Sequence, residues 1–259
     1  MTGSRHRIVT ESDLRLFAAL AEARLLDREQ AALITGRQKA SISTQNAWLA
    51  KLTRANLVRR FFIATDERGI KALYSLSPKS AALIGVHYRP IQRPDNAVLT
   101  GEPLILHLLA VNQIYTQVKY ATPASSEVEF ISWKSFREPL SKSIPLMPDG
   151  YFELKDSYVF HSMFCEVDRG TESQKIWAKK VELYLRLAAT GEFEAIFKRE
   201  RFRVLVITES LRRLEQIRQT VAQATLKIFW FSTLQVIKRE GPYAAHWLRP
   251  VGANRLSLP

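Results

Sequence analysis

Apolar positions early in the chain fall at helical steps. Leu14, Phe17, Ala18, Ala21 and Leu25 recur three or four residues apart, directly after Thr10-Glu11-Ser12-Asp13, a run whose hydroxyls and acids suit an N-cap and first turn. The pattern predicts a second short helix over Arg28–Ile34, closed at Thr35-Gly36, and a third over about Lys39–Arg54 with Ile42, Leu49 and Leu52 facing inward. Periodicity then changes. Leu57–Ile63 reads as a strand, Asp66-Glu67-Arg68-Gly69 as a turn, and Ala72–Leu76 as a returning strand. Three helices followed by a hairpin predict a winged helix-turn-helix over residues 1–80.

Residues 81–98 contain Arg89-Pro90-Ile91-Gln92-Arg93-Pro94-Asp95-Asn96 and read as a linker. Beyond it, Leu104, Leu108, Val111, Ile114, Tyr115 and Val118 keep one apolar face of a helix opened by Pro103. Strands are predicted at Glu127–Trp133, Gly150–Leu154 and Tyr158–Val167, the last two joined by a turn at Lys155-Asp156-Ser157. Thr171-x-x-Gln174 reads as a capping box for a helix from about Glu172 to Ala189. A strand at Phe202–Thr208, a helix at Ser210–Thr225 and a strand at Ile228–Ser232 follow. The fold class is α/β (mixed α+β), with helices packed on a mixed sheet in a domain of residues 99–259.

Charge sharpens this picture. The chain of 259 residues carries a formal net charge of +13, so a polyanionic partner is expected. The excess is uneven: residues 1–80 hold 14 basic and 7 acidic side chains, 81–189 hold 12 of each, and 190–259 hold 12 and 6. On the first domain, Gln38, Lys39, Ser41, Ser43, Thr44 and Asn46 of the third helix are candidates for a DNA groove, and Arg59, Arg60, Arg68 and Lys71 for phosphate contacts along the wing. Double-stranded DNA is the expected partner; a protein-binding winged helix is the alternative. Cys165 is the only cysteine, which excludes an internal disulfide and fits a reducing compartment. The N-terminal residues lack the apolar stretch of a signal peptide, and the apolar run around Leu104–Val111 is too short and polar to span a bilayer, so a cytoplasmic location away from membranes is expected.

The neutral middle section holds the candidate chemistry: Pro148-Asp149-Gly150, then Phe164-Cys165-Glu166-Val167-Asp168. Residues two apart on a strand share a face, about 6–7 Å from one another. Asp149, Glu166 and Asp168 converging on one point would repel, and a divalent ion removes that cost. Magnesium (or manganese) suits such a set, because it takes a few carboxylates, water and phosphate oxygens. Lys175 and Lys179, four apart on the following helix, can bring a cation to the same place. The competing reading has Glu166 and Asp168 in salt bridges with Arg169, Lys175 or Lys179, and Asp149 as a plain turn residue. His107 on its apolar helix reads as a core histidine or a catalytic one. Tyr151 and Tyr184 read as candidate nucleophiles or as core aromatics. Cys165 should face away from Glu166 and be buried.

The split acidic motif and the element order resemble the restriction-endonuclease-like PD-(D/E)xK nucleases. One branch is closer. A winged helix, then Leu106-His107-Leu108-Leu109-Ala110-Val111-Asn112, Trp133, Pro148-Asp149-Gly150, Glu166-Val167-Asp168-Arg169-Gly170-Thr171-Glu172, Lys179 and Tyr184 resembles the replication-relaxation family of plasmid and mobile-element proteins. That resemblance covers most of residues 10–190. It implies a DNA-nicking endonuclease or relaxase acting in replication or mobilisation, alongside other replication or relaxosome proteins. Asp149 then matches the first metal-ligand position and Glu166 the second. Asp168 stands where the nucleases usually carry a lysine, so the catalytic cation must come from Lys175 or Lys179, with Asp168 as a third ligand or as the group that orients the lysine. The alternative is a non-catalytic DNA-binding accessory or regulator on a decayed nuclease fold.

Overall fold

The computed structural model describes residues 8–64, 69–99, 103–121, 127–157 and 159–259. The chain divides into two compact units, Met1–Thr116 and Gln117–Pro259.

The first unit opens with α1 (Glu11–Ala23), whose cap is reciprocal: Asp13 N donates to Thr10 Oγ1 and Thr10 N to Asp13 Oδ2. Strand β1 (Leu26–Asp27) leads into α2 (Arg28–Ile34), capped in the same way by Asp27 and Gln30. Helix α3 (Ile42–Arg54) begins three residues later than its sequence suggests. Ser41 caps it, and the buried Gln45 side chain donates to the carbonyls of Arg37 and Ala40 at 3.0 Å each, holding Lys39 in the preceding turn. Trp48 donates to Asp13 Oδ1 at 3.0 Å and ties α3 to α1. The hairpin of β2 (Val58–Ala64) and β3 (Ile70–Leu76) matches the expected strands to within two residues; most of the expected turn, including Arg68, lies outside the described residues.

The residues read as a linker belong to this unit. After α4 (Pro78–Leu83), β4 (Val98–Leu99) pairs in parallel with β2, giving a sheet of order β1-β3-β2-β4. Helix α5 (Pro103–Tyr120) is fixed here along most of its length: Gln30 Nε2 donates to Leu109 O at 3.0 Å, and buried Asn112 Nδ2 donates to the carbonyls of Ala23 (2.9 Å) and Leu25 (2.6 Å). Leu25, Phe61, Ile63, Leu73 and Leu99 form the core between them.

The second unit is built on β5 (Val128–Lys134), β6 (Gly150–Asp156) and β7 (Val159–Asp168), an antiparallel meander. Helix α6 (Gln174–Ala189) and the unforeseen α7 (Glu192–Phe197) lead to β8 (Phe202–Thr208), which lies parallel to β7. Helix α8 (Leu211–Ala222) leads to β9 (Phe229–Thr233), parallel to β8. Helix α9 (Leu234–Glu240), β10 (Trp247–Leu248) and β11 (Arg255–Leu256) finish a seven-stranded mixed sheet of order β11-β10-β9-β8-β7-β6-β5. The fold class is mixed α/β. One face of this sheet packs Phe164, Phe202 and Phe229 against Tyr184, Phe193 and Trp177. Each such ring, once buried, contributes about 1.5–3 kcal/mol, enough to fix α6 against β7. Among the described residues, no helix is long and apolar enough to cross a membrane.

Candidate active site

Strand pairing places the acidic residues. Gly150 of β6 pairs with Cys165 of β7. Asp149, one residue earlier, therefore faces Glu166, one residue later, across an antiparallel ladder. Asp149 Oδ2 accepts a hydrogen bond from Val167 N at 2.7 Å, which holds its carboxylate over the end of β7. The adjacent Gly150 leaves room for the Trp133 ring: a Cβ there would lie 2.5 Å from it.

Helix α6 supplies the remaining groups. Trp177, Lys180 and Tyr184 stand three and four residues apart and so share one helix face, turned towards the alternate positions Glu166 and Asp168 of β7. Lys180 Nζ lies 2.9 Å from Glu166 Oε2 and 2.8 Å from Glu172 Oε1. Tyr184 donates to Glu166 Oε1 at 2.5 Å. Glu166 is 1% exposed. Burial pushes its carboxyl up to about 7; Lys180 opposes the rise, Asp149 adds to it, and the Tyr184 hydrogen bond opposes it. Burial works against the Lys180 ammonium, yet Glu166 and Glu172 together hold its pKa above the ordinary lysine value. The Tyr184 hydroxyl is pushed well up, by burial first and then by the Glu166 charge. Burial and the adjacent Asp149 and Glu166 likewise raise the Cys165 thiol, which is fully enclosed.

The lysine of α6 that bonds Glu166 is Lys180; Lys175 and Lys179, the expected ones, are not brought to it. Lys175 is exposed, and Lys179 pairs with exposed Glu182 at 2.9 Å. The face of α6 is set by its apolar stripe of Trp177, Val181, Tyr184 and Leu187, all buried. Lys180 borders that stripe, which is the signal that distinguishes it from its neighbours.

Asp168 is engaged elsewhere. Arg213, in the first turn of α8, grips it with two parallel bonds, Nε to Oδ1 at 2.7 Å and Nη2 to Oδ2 at 2.8 Å. Trp177 Nε1 donates to Oδ2 at 2.6 Å and Gly170 N to Oδ1 at 2.7 Å. Burial raises the Asp168 pKa, but Arg213, Trp177 and Gly170 outweigh it and hold the carboxyl below its usual range. The expected capping box at Thr171 gives way to the same turn: Ser173 is the N-cap, accepting from Ile176 N, and Arg213 Nη2 donates to the carbonyl of Glu172. Nothing in the local sequence pairs Arg213 with Asp168; their meeting is a product of the β7–α6–β8–α8 crossover.

Of the three acids, Asp149 and Glu166 are the two that could hold a metal such as magnesium, which needs one or two carboxylates and completes its shell with water and phosphate oxygens; here Lys180 and Tyr184 occupy both Glu166 oxygens, and Asp149 Oδ2 accepts from Val167 N. Among the described residues, no three His, Cys, Asp or Glu side chains come together to hold one. Tyr151, the other tyrosine of interest, is buried and donates to Glu153 Oε1 at 2.6 Å, away from this cluster.

On the first unit, Gln38, Lys39, Ser43, Thr44 and Asn46 are exposed. Three of the basic candidates on the wing, Arg59, Arg60 and Lys71, bond to groups of their own unit. Arg59 donates to Asp95 (2.6 Å), Tyr88 (3.2 Å) and the carbonyls of Ile91 (3.0 Å) and Arg93 (2.5 Å). Arg60 donates to Asn96 at 2.8 Å, and Lys71 bonds the α2 cap Asp27 at 3.0 Å.

The fold and site define an α/β protein of two units with an acid–lysine cluster at a strand end. A family model for replication-relaxation matches residues 17–200, which span the first sheet and all four of Asp149, Glu166, Asp168 and Lys180. The chain belongs to the replication-relaxation family, whose theme is the replication or mobilisation of plasmids and other mobile elements. No curated protein and no solved structure matches the chain.

Proposed function

We propose that the chain binds DNA and that its second unit nicks one strand with the help of magnesium or manganese, in plasmid or mobile-element replication or mobilisation. The observation that carries this reading is the meeting of Asp149, Glu166 and Lys180 at the end of β6 and β7. The element order of the second unit supports it: three antiparallel strands, two helices, then a strand parallel to the third, an order compatible with the restriction-endonuclease-like fold. Asp149 and Glu166 would hold the ion. When bound, it polarises the phosphate and acidifies water. Lys180 places positive charge where the scissile phosphate gains negative charge, the kind of help whose loss costs about 10²–10³ in rate. Tyr184 fixes the Glu166 carboxylate. The exposed polar residues of α3 and its preceding turn, Gln38, Lys39, Ser43, Thr44 and Asn46, face outward for DNA.

Supercoiled plasmid incubated with the protein should be nicked in magnesium or manganese and left intact in chelator. Asp149→Asn and Glu166→Gln should abolish nicking. Cutting that persists in both variants overturns the assignment.

A second reading has a specific observation behind it. Both Glu166 oxygens already have partners, and Asp168, at the usual lysine position, is clamped by Arg213. An accessory protein on a decayed site would be left with the DNA-binding role alone. Calorimetric titration with manganese separates the two: no uptake by a protein that still binds DNA tightly favours the accessory.

A further inference from the structure

A separate cavity of about 610 Å³ opens at the far end of the same sheet. Its wall is formed where β7, β8 and β9 begin, by Phe160 and His161, Arg201 and Arg203, and Lys227 and Trp230, with Arg249 alongside. His161 and Glu166 are five residues apart on one strand, which at about 3.3 Å per residue puts the cavity roughly 16 Å from the acid–lysine cluster.

The wall is basic. Arg201, Arg203, Lys227 and Arg249 face a single acid, Glu200, and among the described residues none of the four forms an ion pair with a carboxylate. Other arginines of this unit do: Arg169, Arg199, Arg213 and Arg218 each have one. Arg203 lies 4.9 Å over the Trp230 ring, and its Nη1 is 3.4 Å from His161 Nδ1. Arg249 Nε and His161 Nε2 are buried with no hydrogen-bond partner among the described residues. Burial, and then Arg249, pushes the Arg203 pKa down; burial, and then Arg203, does the same to His161. Arg203, Arg249 and His161 are half-buried and Arg201 and Lys227 exposed, and positive groups crowded together in this way repel at a cost that an anion would offset. Apolar surface from Phe160, Ile228 and Ala188 lines the same cavity, and its size falls within the range of about 300–1,000 Å³ typical of small-ligand sites.

We infer that this cavity binds a nucleoside phosphate, with the phosphate on the arginine and lysine cluster and the ring against the apolar wall. The ligand is either the phosphorylated end of a DNA strand or a free nucleotide; both present the same chemistry. The inference rests on this cavity alone and stands whether or not the chain cleaves DNA.

Calorimetry on the full chain at low salt tests it, with dAMP, inorganic phosphate and a short oligodeoxynucleotide with and without a 5′-phosphate as probes. One dAMP should bind per chain, more tightly than inorganic phosphate. Arg203→Gln and Arg249→Gln should each weaken it by about tenfold or more, the loss of one charge-assisted hydrogen bond. Arg201→Gln combined with Lys227→Gln alters only exposed side chains, so it should weaken binding with no change in melting temperature. Asp149→Asn with Glu166→Gln should leave binding unchanged, which separates failure here from failure of the cleavage proposal. Tighter binding of the 5′-phosphorylated strand than of the same strand without its phosphate, a difference lost in Arg203→Gln, assigns the strand end; saturable dAMP binding with no such difference assigns the nucleotide; both uphold the site. Absence of saturable binding, equal affinity for inorganic phosphate and dAMP, or indifference to these substitutions overturns it.

Discussion

Arg213 meets Asp168 side-on, its Nε and Nη2 lying 2.7 and 2.8 Å from the two carboxylate oxygens. The same carboxylate takes the Trp177 indole and the Gly170 amide, so one side chain joins β7, the turn that follows it, α6 and α8. Gly170 sits at φ +82°, a left-handed conformation in which a side chain would be strained. Asp168 is therefore an architectural lock of the second unit.

Breaking that lock from one side strands a buried charge. Asp168→Ala or Arg213→Met is expected to cost about 3–5 kcal/mol in urea unfolding. The double variant should lose less than the two singles added together, because neither partner is then left alone. If Asp168 served instead as a metal ligand, Asp168→Asn would abolish manganese uptake in calorimetry while changing stability little.

Glu166 gives stability a pH dependence of defined sign. Its carboxyl titrates at about 7 in the folded chain against an ordinary value of 4.5, so between those values the native state holds more protons than the unfolded state. Stability from this group is full below the ordinary value and is lost as pH rises through the folded one. The Glu166 contribution to melting temperature should therefore fall between about pH 5 and pH 8, and Glu166→Gln should remove that part of the pH dependence; His161 and His246, whose pKa values burial lowers, act in the opposite direction in this window and are untouched by the substitution. Asp168 acts in the opposite direction: its depressed pKa supplies stability above the ordinary aspartate value that is lost only as pH falls through its folded value, well outside this window.

The three lysines of α6 should separate cleanly. Lys180→Met is expected to reduce nicking by about 10²–10³. Lys175→Met and Lys179→Met should leave it nearly unchanged. The Lys179–Glu182 pair is about 60% exposed on both sides (61% and 63%), so its loss should cost under about 1 kcal/mol in stability as well. Plasmid nicking measured alongside thermal melts distinguishes the site from the surface.

Much of this architecture is legible in the sequence because its signals are local. The spans of α2 and β8 coincide with the periodic runs that predict them, and the β6–β7 hairpin follows from two apolar strands around a polar turn. The facing of Asp149 and Glu166 follows from that hairpin. What the sequence conceals is long-range. Lys180 rather than Lys179 reaches the acids because burial of Trp177 and Tyr184 fixes the rotation of α6. Arg213 reaches Asp168 only through a crossover, and the start of α6 shifts to Ser173 because that contact claims the residues before it. The short pieces α7, α9, β10 and β11 carry too few periods to read. Arg59 shows the same limit: its position on a wing strand suggests phosphate, but the segment from Tyr88 to Asp95 folds back and takes its donors.

Arg59 therefore supplies a test of the proposed DNA-facing surface. Its side chain is 16% exposed and its guanidinium bonds four groups of the returning segment, so Arg59→Met should destabilise the first unit by about 1–3 kcal/mol. It should leave the salt dependence of DNA binding unchanged, because that slope counts neutralised phosphates. Lys39 is exposed in the turn before α3. If it contacts a phosphate, Lys39→Gln lowers the slope of log affinity against log salt by about 0.9 with no loss of stability. Asn46→Ala, which removes an amide able to read base edges, should instead narrow the gap between preferred and random duplexes at a constant slope. Fluorescence anisotropy across a salt series measures all three. A slope that falls with Arg59→Met and not with Lys39→Gln would place the DNA on the returning segment rather than on α3.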